Sequence, residues 1–273
     1  MRTPHTLVVT GLAFGLVAAG LLAQTAPQVI QGPEVEKFLA KAKILTMKDI
    51  GKGVTIPRKA TMELDGVTGS AVFKSIDEKP LSGITKLADG TIDAEFQDSW
   101  RTELAAYEVD KLIGLGMVPA TVERRYGSDV GSLQLWVTTL MTEEKRQKDG
   151  VKPPDAADWN DQMDKLFVWD NLIYNVDRNL GNILITGEWR IVAIDHSRSF
   201  RPYARLKDPK LMNRFSRSLL ARMAALDEPT LKKRLENYLT PYQIQGLLKR
   251  RDLIAAQAKQ LAAEKGEAAV YYR

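Results

Sequence analysis

The chain contains no cysteine. That excludes a disulfide framework, thiolate nucleophiles and cysteine-ligated metals. The fold must therefore be held by its core, and 273 residues suffice for two lobes or one large domain. Histidine is almost as scarce, with only His5 and His196 present. His-rich zinc sites drop out, and a Ser-His-Asp triad would have one candidate base. A metal here must be held mainly by oxygen, which points to Mg2+ or Mn2+. Common phosphate signatures are missing too. No stretch fits a Walker A loop, and Gly114-Leu115-Gly116 lacks the third glycine of a dinucleotide fingerprint. The net charge of +5 is mild, and the short basic runs Lys232 to Arg234 and Lys249 to Arg251 carry no interleaved stacking aromatics. They suit solvated helix faces and argue against nucleic acid.

One long apolar run is present. Arg2 and His5 precede Leu7 to Ala23, whose only polar member is Thr10, and Gln24-Thr25-Ala26-Pro27 follow. A basic start, a short apolar core and small residues at the exit describe a secretory signal over residues 1–26. The run is slightly short for a spanning helix, which needs roughly 20 apolar residues. Leu21 or Gln24 stands where cleavage prefers a small residue, so an uncleaved membrane anchor is the alternative. An exported protein, periplasmic or secreted, is expected, touching a membrane only through this segment.

Residues 27–44 predict an N-terminal helical extension, with a helix from Pro33 to Ile44. β-like runs follow at Ile44 to Ile50, Lys59 to Leu64 and Ser70 to Ile76, punctuated by Gly51, Gly53, Asp65, Gly66 and Gly69. Ala105, Val109, Leu112 and Ile113 at helical spacing predict a helix from Ser99 to Ile113, stopped by Gly114. Val122 to Tyr126 and Leu133 to Val137 suit a hairpin. Residues 145–157, with Pro153 and Pro154, suit a loop. Trp159 to Tyr174 is helical in pattern, Asn182 to Ile185 and Arg190 to Ile194 are short β segments, and Pro209 to Glu264 is almost wholly helical. The sum is an α+β protein in two lobes: strand-rich at 45–141, helical at 142–265, with a tail at 266–273 and a cleft between lobes.

The densest chemistry is Asp177-Arg178-Asn179-Leu180-Gly181-Asn182, followed by Ile194-Asp195-His196-Ser197. Phosphoryl transfer from ATP needs a carboxylate to orient the attacking hydroxyl and oxygen ligands for the metal that neutralises the phosphates. Asp177 can be that carboxylate, while Asn182 and Asp195 leave adjacent strands at one end and can hold the metal. An Asp-Arg-Asn loop is equally a turn with a surface ion pair. Asp195, however, follows the apolar Ile191 to Ile194, where a carboxylate is costly without partners. His196 suits a positioned neighbour better than a ligand.

These two stretches resemble the catalytic and metal-binding loops of the atypical kinases: the phosphatidylinositol 3/4-kinases, the HipA-type kinases and the secretory-pathway four-jointed/Golgi casein kinase group. Glu103 to Gly114 with Val118-Pro119, and Ala71-Val72-Phe73-Lys74, look most like the last group. Leu239-Thr240-Pro241 to Leu248 and Arg250 to Ile254 are similar to the helices that close such domains. The resemblance covers about residues 45–260, in one order. It implies a two-lobed protein-kinase-like fold and a site for ATP with Mg2+ or Mn2+. In it Lys74 grips the phosphates, Glu103 pairs with Lys74, Gly51 and Gly53 bring backbone N–H groups to phosphate, and Trp136 to Met141 line the adenine pocket. Glu108 rivals Glu103 for the lysine. Asn179 stands where the family often has His, and the glycine loop lacks a third glycine.

The expected function is an exported ATP-dependent kinase acting on a hydroxyl of a protein or glycan. A non-catalytic pseudokinase scaffold in the same fold is the alternative. Transfer of AMP rather than phosphate, and a basic surface-binding protein without a nucleotide site, are further ones.

Overall fold

A computed structural model describes residues 28–51, 56–78, 85–86, 92–93 and 97–273. Residues 1–26 and Gly53 lie outside the described residues. Helix α1 (Pro33–Lys41) opens on Pro33 at its first turn and leads into β1 (Lys43–Asp49), β2 (Arg58–Leu64) and β3 (Val67–Lys74). β4 (Asp77–Glu78) pairs antiparallel with β7 (Asp98–Ser99), and β5 (Thr85–Lys86) pairs with β6 (Ile92–Asp93). Helix α2 (Trp100–Ile113) follows, then β8 (Thr121–Tyr126) and β9 (Asp129–Leu135). The main sheet is antiparallel in the order β1-β2-β3-β9-β8. β3 is therefore an interior strand, and Lys74 ends it one residue beyond its last pairing with β2.

Two local devices place that strand end. Lys74 pairs with Ser132 on β9, and Gly131 beside it passes so close that a Cβ would stand 2.1 Å from the Lys74 carbonyl oxygen. Any side chain at 131 would push the strands apart. α2 is capped at both ends, by the Ser99 hydroxyl accepting from the Arg101 N–H and by Gly114 in the left-handed region at φ 57°. Most of α2 is buried, including Thr102, Glu103 and Asp110 among its polar residues. The Asp110 carboxylate accepts the backbone N–H groups of Gly116, Met117 and Val118, so the turn into β8 closes on a buried charge.

Beyond the connection at 136–140 come β10 (Met141–Thr142), α3 (Glu143–Lys148), α4 (Ala156–Leu172), β11 (Ile183–Ile185) and β12 (Ile191–Ala193). β10, β11 and β12 form a small antiparallel sheet. Then follow β13 (Phe215–Ser216), α5 (Arg217–Ala224), α6 (Glu228–Leu235), α7 (Pro241–Lys265), α8 (Glu267–Val270) and β14 (Tyr271–Tyr272). α7 starts with a capping box between Thr240 and Gln243, with Pro241 in its first turn. Buried apolar residues from both halves, from Leu39 and Phe73 to Leu247 and Val270, form one continuous core.

Several local expectations are corrected. The loop expected from 145 begins as helix α3, because Thr142 caps it and Glu143 receives Arg146 and Gln147. The strand expected from Asn182 starts at Ile183, since Leu180–Asn182 form a 3-10 turn on the Asn179 side chain. The helical stretch from Pro209 is interrupted by β13. The residues expected as a tail fold back: β14 pairs parallel with β13, Val270 is fully buried, and the Tyr272 hydroxyl donates to the Asp161 carbonyl. Such nonlocal contacts leave no periodicity to detect. Among the described residues no helix is long and apolar enough to cross a membrane.

Candidate active site

The Lys74 ammonium lies 2.5 Å from Glu103 Oε1 and 2.7 Å from Asp195 Oδ1. β3, α2 and the segment after β12 thus meet at one cation. The Lys74 and Glu103 side chains are 12% and 2% exposed, so neither charge is tenable without the other. Burial alone would push the ammonium down, but the charges of Glu103 and Asp195 override it and hold Lys74 well above its ordinary value. Glu103 responds in the mirrored way. Burial pushes its carboxyl up, yet the Lys74 charge and the adjacent His196 hold it well below the usual carboxylate range. The rival Glu108 faces elsewhere, pairing with Lys111 at 2.8 Å and Arg234 at 3.3 Å.

Asp195 sits at φ 61°, in the left-handed region. A non-glycine residue there carries strain that surrounding contacts must hold. Those contacts are dense. The His196 N–H donates to Glu103 Oε2, the Ser197 hydroxyl donates to Asp195, and the Ser197 carbonyl accepts from the Ser99 N–H and the Thr102 hydroxyl. The start of α2 therefore binds the Asp195 turn at several points.

His196 is fully buried. Trp169 Nε1 lies 3.3 Å and Arg178 Nη2 3.0 Å from His196 Nε2. Both groups can only donate, so Nε2 bears the lone pair and Nδ1 the proton. Nδ1 stands 3.6 Å from Glu103 Oε2, with no hydrogen-bond partner among the described residues. Burial pushes the imidazole down, keeping it neutral.

Arg178 is the residue that sequence reasoning undervalued. In place of a surface ion pair, its side chain is 9% exposed and pairs with Asp170 on α4 at 3.0 Å. It also donates to the carbonyls of Asn182 and Ile194. One planar guanidinium thereby joins α4, the 177–182 loop and the Asp195 turn. A cation inside a polar loop flanked by Val176 and Leu180 was the available signal.

Asp177 is 45% exposed on its side chain and lies 3.5 Å from Arg198 Nη1. Its N–H is fixed by the Asn175 side chain. Burial pushes its carboxyl up; Arg198 pulls it back, and the nearby Asp195 and Asp98 carboxylates push it up again. Asp177 and Asp195 are thus electrostatic neighbours. The hydrogen bonds of Asn182 run through its backbone, to Asn179, Arg178 and Ile194. Gly51 is exposed at φ 69° in the β1–β2 turn, with nothing within 4 Å of where its Cβ would be. The connection at 136–138 is gripped by Gln28, which donates to the Trp136 carbonyl and accepts from the Thr138 N–H.

No family model and no curated protein matches the chain. Solved structures do. Hydra Fam20, determined with sugar, matches with a TM-score of 0.66 over 87% of this chain and 91% of its own, at 18% identity. The fold is that of an atypical kinase. A Helicobacter pylori proinflammatory kinase, CtkA, matches with a TM-score of 0.50 over 84% of this chain and 97% of its own, at 14% identity. At these identities the likeness is one of fold. The atypical kinase fold is thus the one implied by the resemblance of residues 45–260, and Lys74, Glu103 and Asp195 meet within it.

Proposed function

We propose that the chain is an exported, ATP-dependent kinase that moves the γ-phosphate of ATP to a hydroxyl of a protein or glycan. The observation that carries this reading is the buried ammonium of Lys74 held between Glu103 and Asp195, with Asp177 in electrostatic range of Asp195. Positioning and charge neutralisation are most of what phosphoryl transfer asks of a protein. In this reading Lys74 grips the phosphates and Glu103 fixes Lys74. Asp177 orients the acceptor hydroxyl and takes its proton, and the Gly51 turn approaches the phosphates from the sheet.

Asn182 and Asp195 would hold Mg2+ or Mn2+. The donor set fits: one amide oxygen and one carboxylate that is 34% exposed suit a hard cation that keeps waters and takes its other ligands from phosphate. Among the described residues no three His, Cys, Asp or Glu side chains gather as a protein-only metal site. When bound, the ion neutralises phosphate charge.

Thermal melts with ATP and each metal test the reading. Nucleotide should raise Tm only with metal, Asp195→Ala should abolish the rise, and Asp177→Asn should keep the rise while ending transfer. Label from γ-labelled ATP on the acceptor supports a kinase, and label from α-labelled ATP means AMP transfer. A Tm rise with no label from either supports the pseudokinase reading, and no rise with any metal refutes a nucleotide site.

A further inference from the structure

The geometry points to Arg198 as a positioning residue for Asp177, anchored by the buried Asp98 and so coupling α2 to the acceptor end of the site. The inference deepens the kinase reading and rests on it.

Arg198 follows the Asp195-His196-Ser197 turn directly. Its Nε lies 2.9 Å from Asp98 Oδ2, and its Nη1 lies 3.5 Å from Asp177 Oδ2. One guanidinium spans two carboxylates of opposite character. The Asp98 side chain is 4% exposed, whereas that of Asp177 is half-exposed. Asp98 Oδ1 has no hydrogen-bond partner among the described residues, so the charge of this carboxylate leans on Arg198. The planar fork of arginine suits such bridging, since its donors keep a fixed angle to each other.

Asp98 belongs to β7 and immediately precedes the cap of α2. One turn further on, Glu103 holds Lys74. The Arg198 carbonyl meanwhile lies 3.4 Å from the N–H of Val176, the residue before Asp177. A shift of α2 that loosens Lys74 would therefore also withdraw Asp98 and, through Arg198, release Asp177. Nucleotide grip and acceptor orientation become one event.

Arg198→Gln in the full-length chain tests this, with kcat, KM for ATP and the metal–ATP thermal shift measured together. Orientation by a positioned acid–base group is worth about 100-fold or more. We expect kcat to fall about 10- to 100-fold, with KM for ATP within about threefold and the thermal shift retained, because Asp177 faces the acceptor. Arg198→Lys should recover part of the loss, having the charge without the fork. Asp98→Asn should also lower kcat, and the double variant should fall no further than Arg198→Gln alone. Should Asp98→Asn fail to fold, the two Arg198 variants decide. Wild-type kcat in Arg198→Gln, or a kcat loss accompanied by loss of the thermal shift, overturns the inference and leaves the kinase reading standing. A wild-type chain that transfers no γ-label overturns both.

Discussion

Replacing Lys74 by methionine keeps the volume of the side chain and removes its ammonium. Two carboxylates lose their partner, but unequally. Asp195 is a third exposed, so water screens it and its share is small. Glu103 is 2% exposed and lies 2.5 Å from the nitrogen. Stranding a buried charge of that kind costs about 3–5 kcal/mol. For a chain of this size each kcal/mol is about 2–4 °C of Tm, so a fall on the order of 10 °C is expected in melts followed by circular dichroism. The pH dependence is the sharper part. In the wild type the folded Glu103 is held well below the ordinary carboxylate value. Its stabilisation is full above the unfolded pKa and is lost as pH falls toward the folded one. In Lys74→Met, burial becomes the main influence and lifts the folded carboxyl above its unfolded value. The variant is then least penalised where Glu103 is protonated, and the penalty grows as pH rises through the new pKa. The Tm gap between the two proteins should be widest near about pH 7.5 and shrink toward about pH 5. An equal gap at both values, or one under about 2 °C, would show that Glu103 is not an ionised partner of Lys74.

Arg178→Lys should lower Tm by about 5–10 °C and weaken the nucleotide thermal shift. Lysine cannot reach Asp170, the Asn182 and Ile194 carbonyls and His196 at once; an unchanged Tm refutes the hub. Asp110→Ala should cost about 2–4 kcal/mol in urea unfolding, because three backbone N–H groups and the Gln31 amide lose their acceptor. Asp110→Asn should recover part of this. Removing residues 267–273 exposes the pocket of Val270 and unpairs β13. It should cost about 1.5–3 kcal/mol or more, and an unaltered urea midpoint would show that this end is dispensable.

Local pattern carried far along this chain where the cause is local. Pro33, Pro229 and Pro241 mark helix starts because they suit the first turn, and α2 ends at Gly114 because glycine tolerates the left-handed cap. Asp177, Asn182 and Asp195 could be nominated because a loop and two short strands place them by connectivity. Asp98, Arg198 and Gly131 could not. Their importance comes from what other segments bring beside them, such as the Lys74 carbonyl 2.1 Å from an added Cβ at 131.

By itself, then, the sequence determined the chemistry available: no thiol, two histidines, and oxygen donors in a polar loop beside an apolar hairpin. It determined the order of strand-rich and helix-rich halves as well, since periodicity is a local property of the chain. Only the tertiary structure decided that Glu103 rather than Glu108 faces Lys74. The two lie five residues apart on one helix, and the choice depends on how that helix is rolled against the sheet. The fate of the last eight residues was likewise decided there, because a two-residue parallel pairing with β13 has meaning only once the core has brought both segments together.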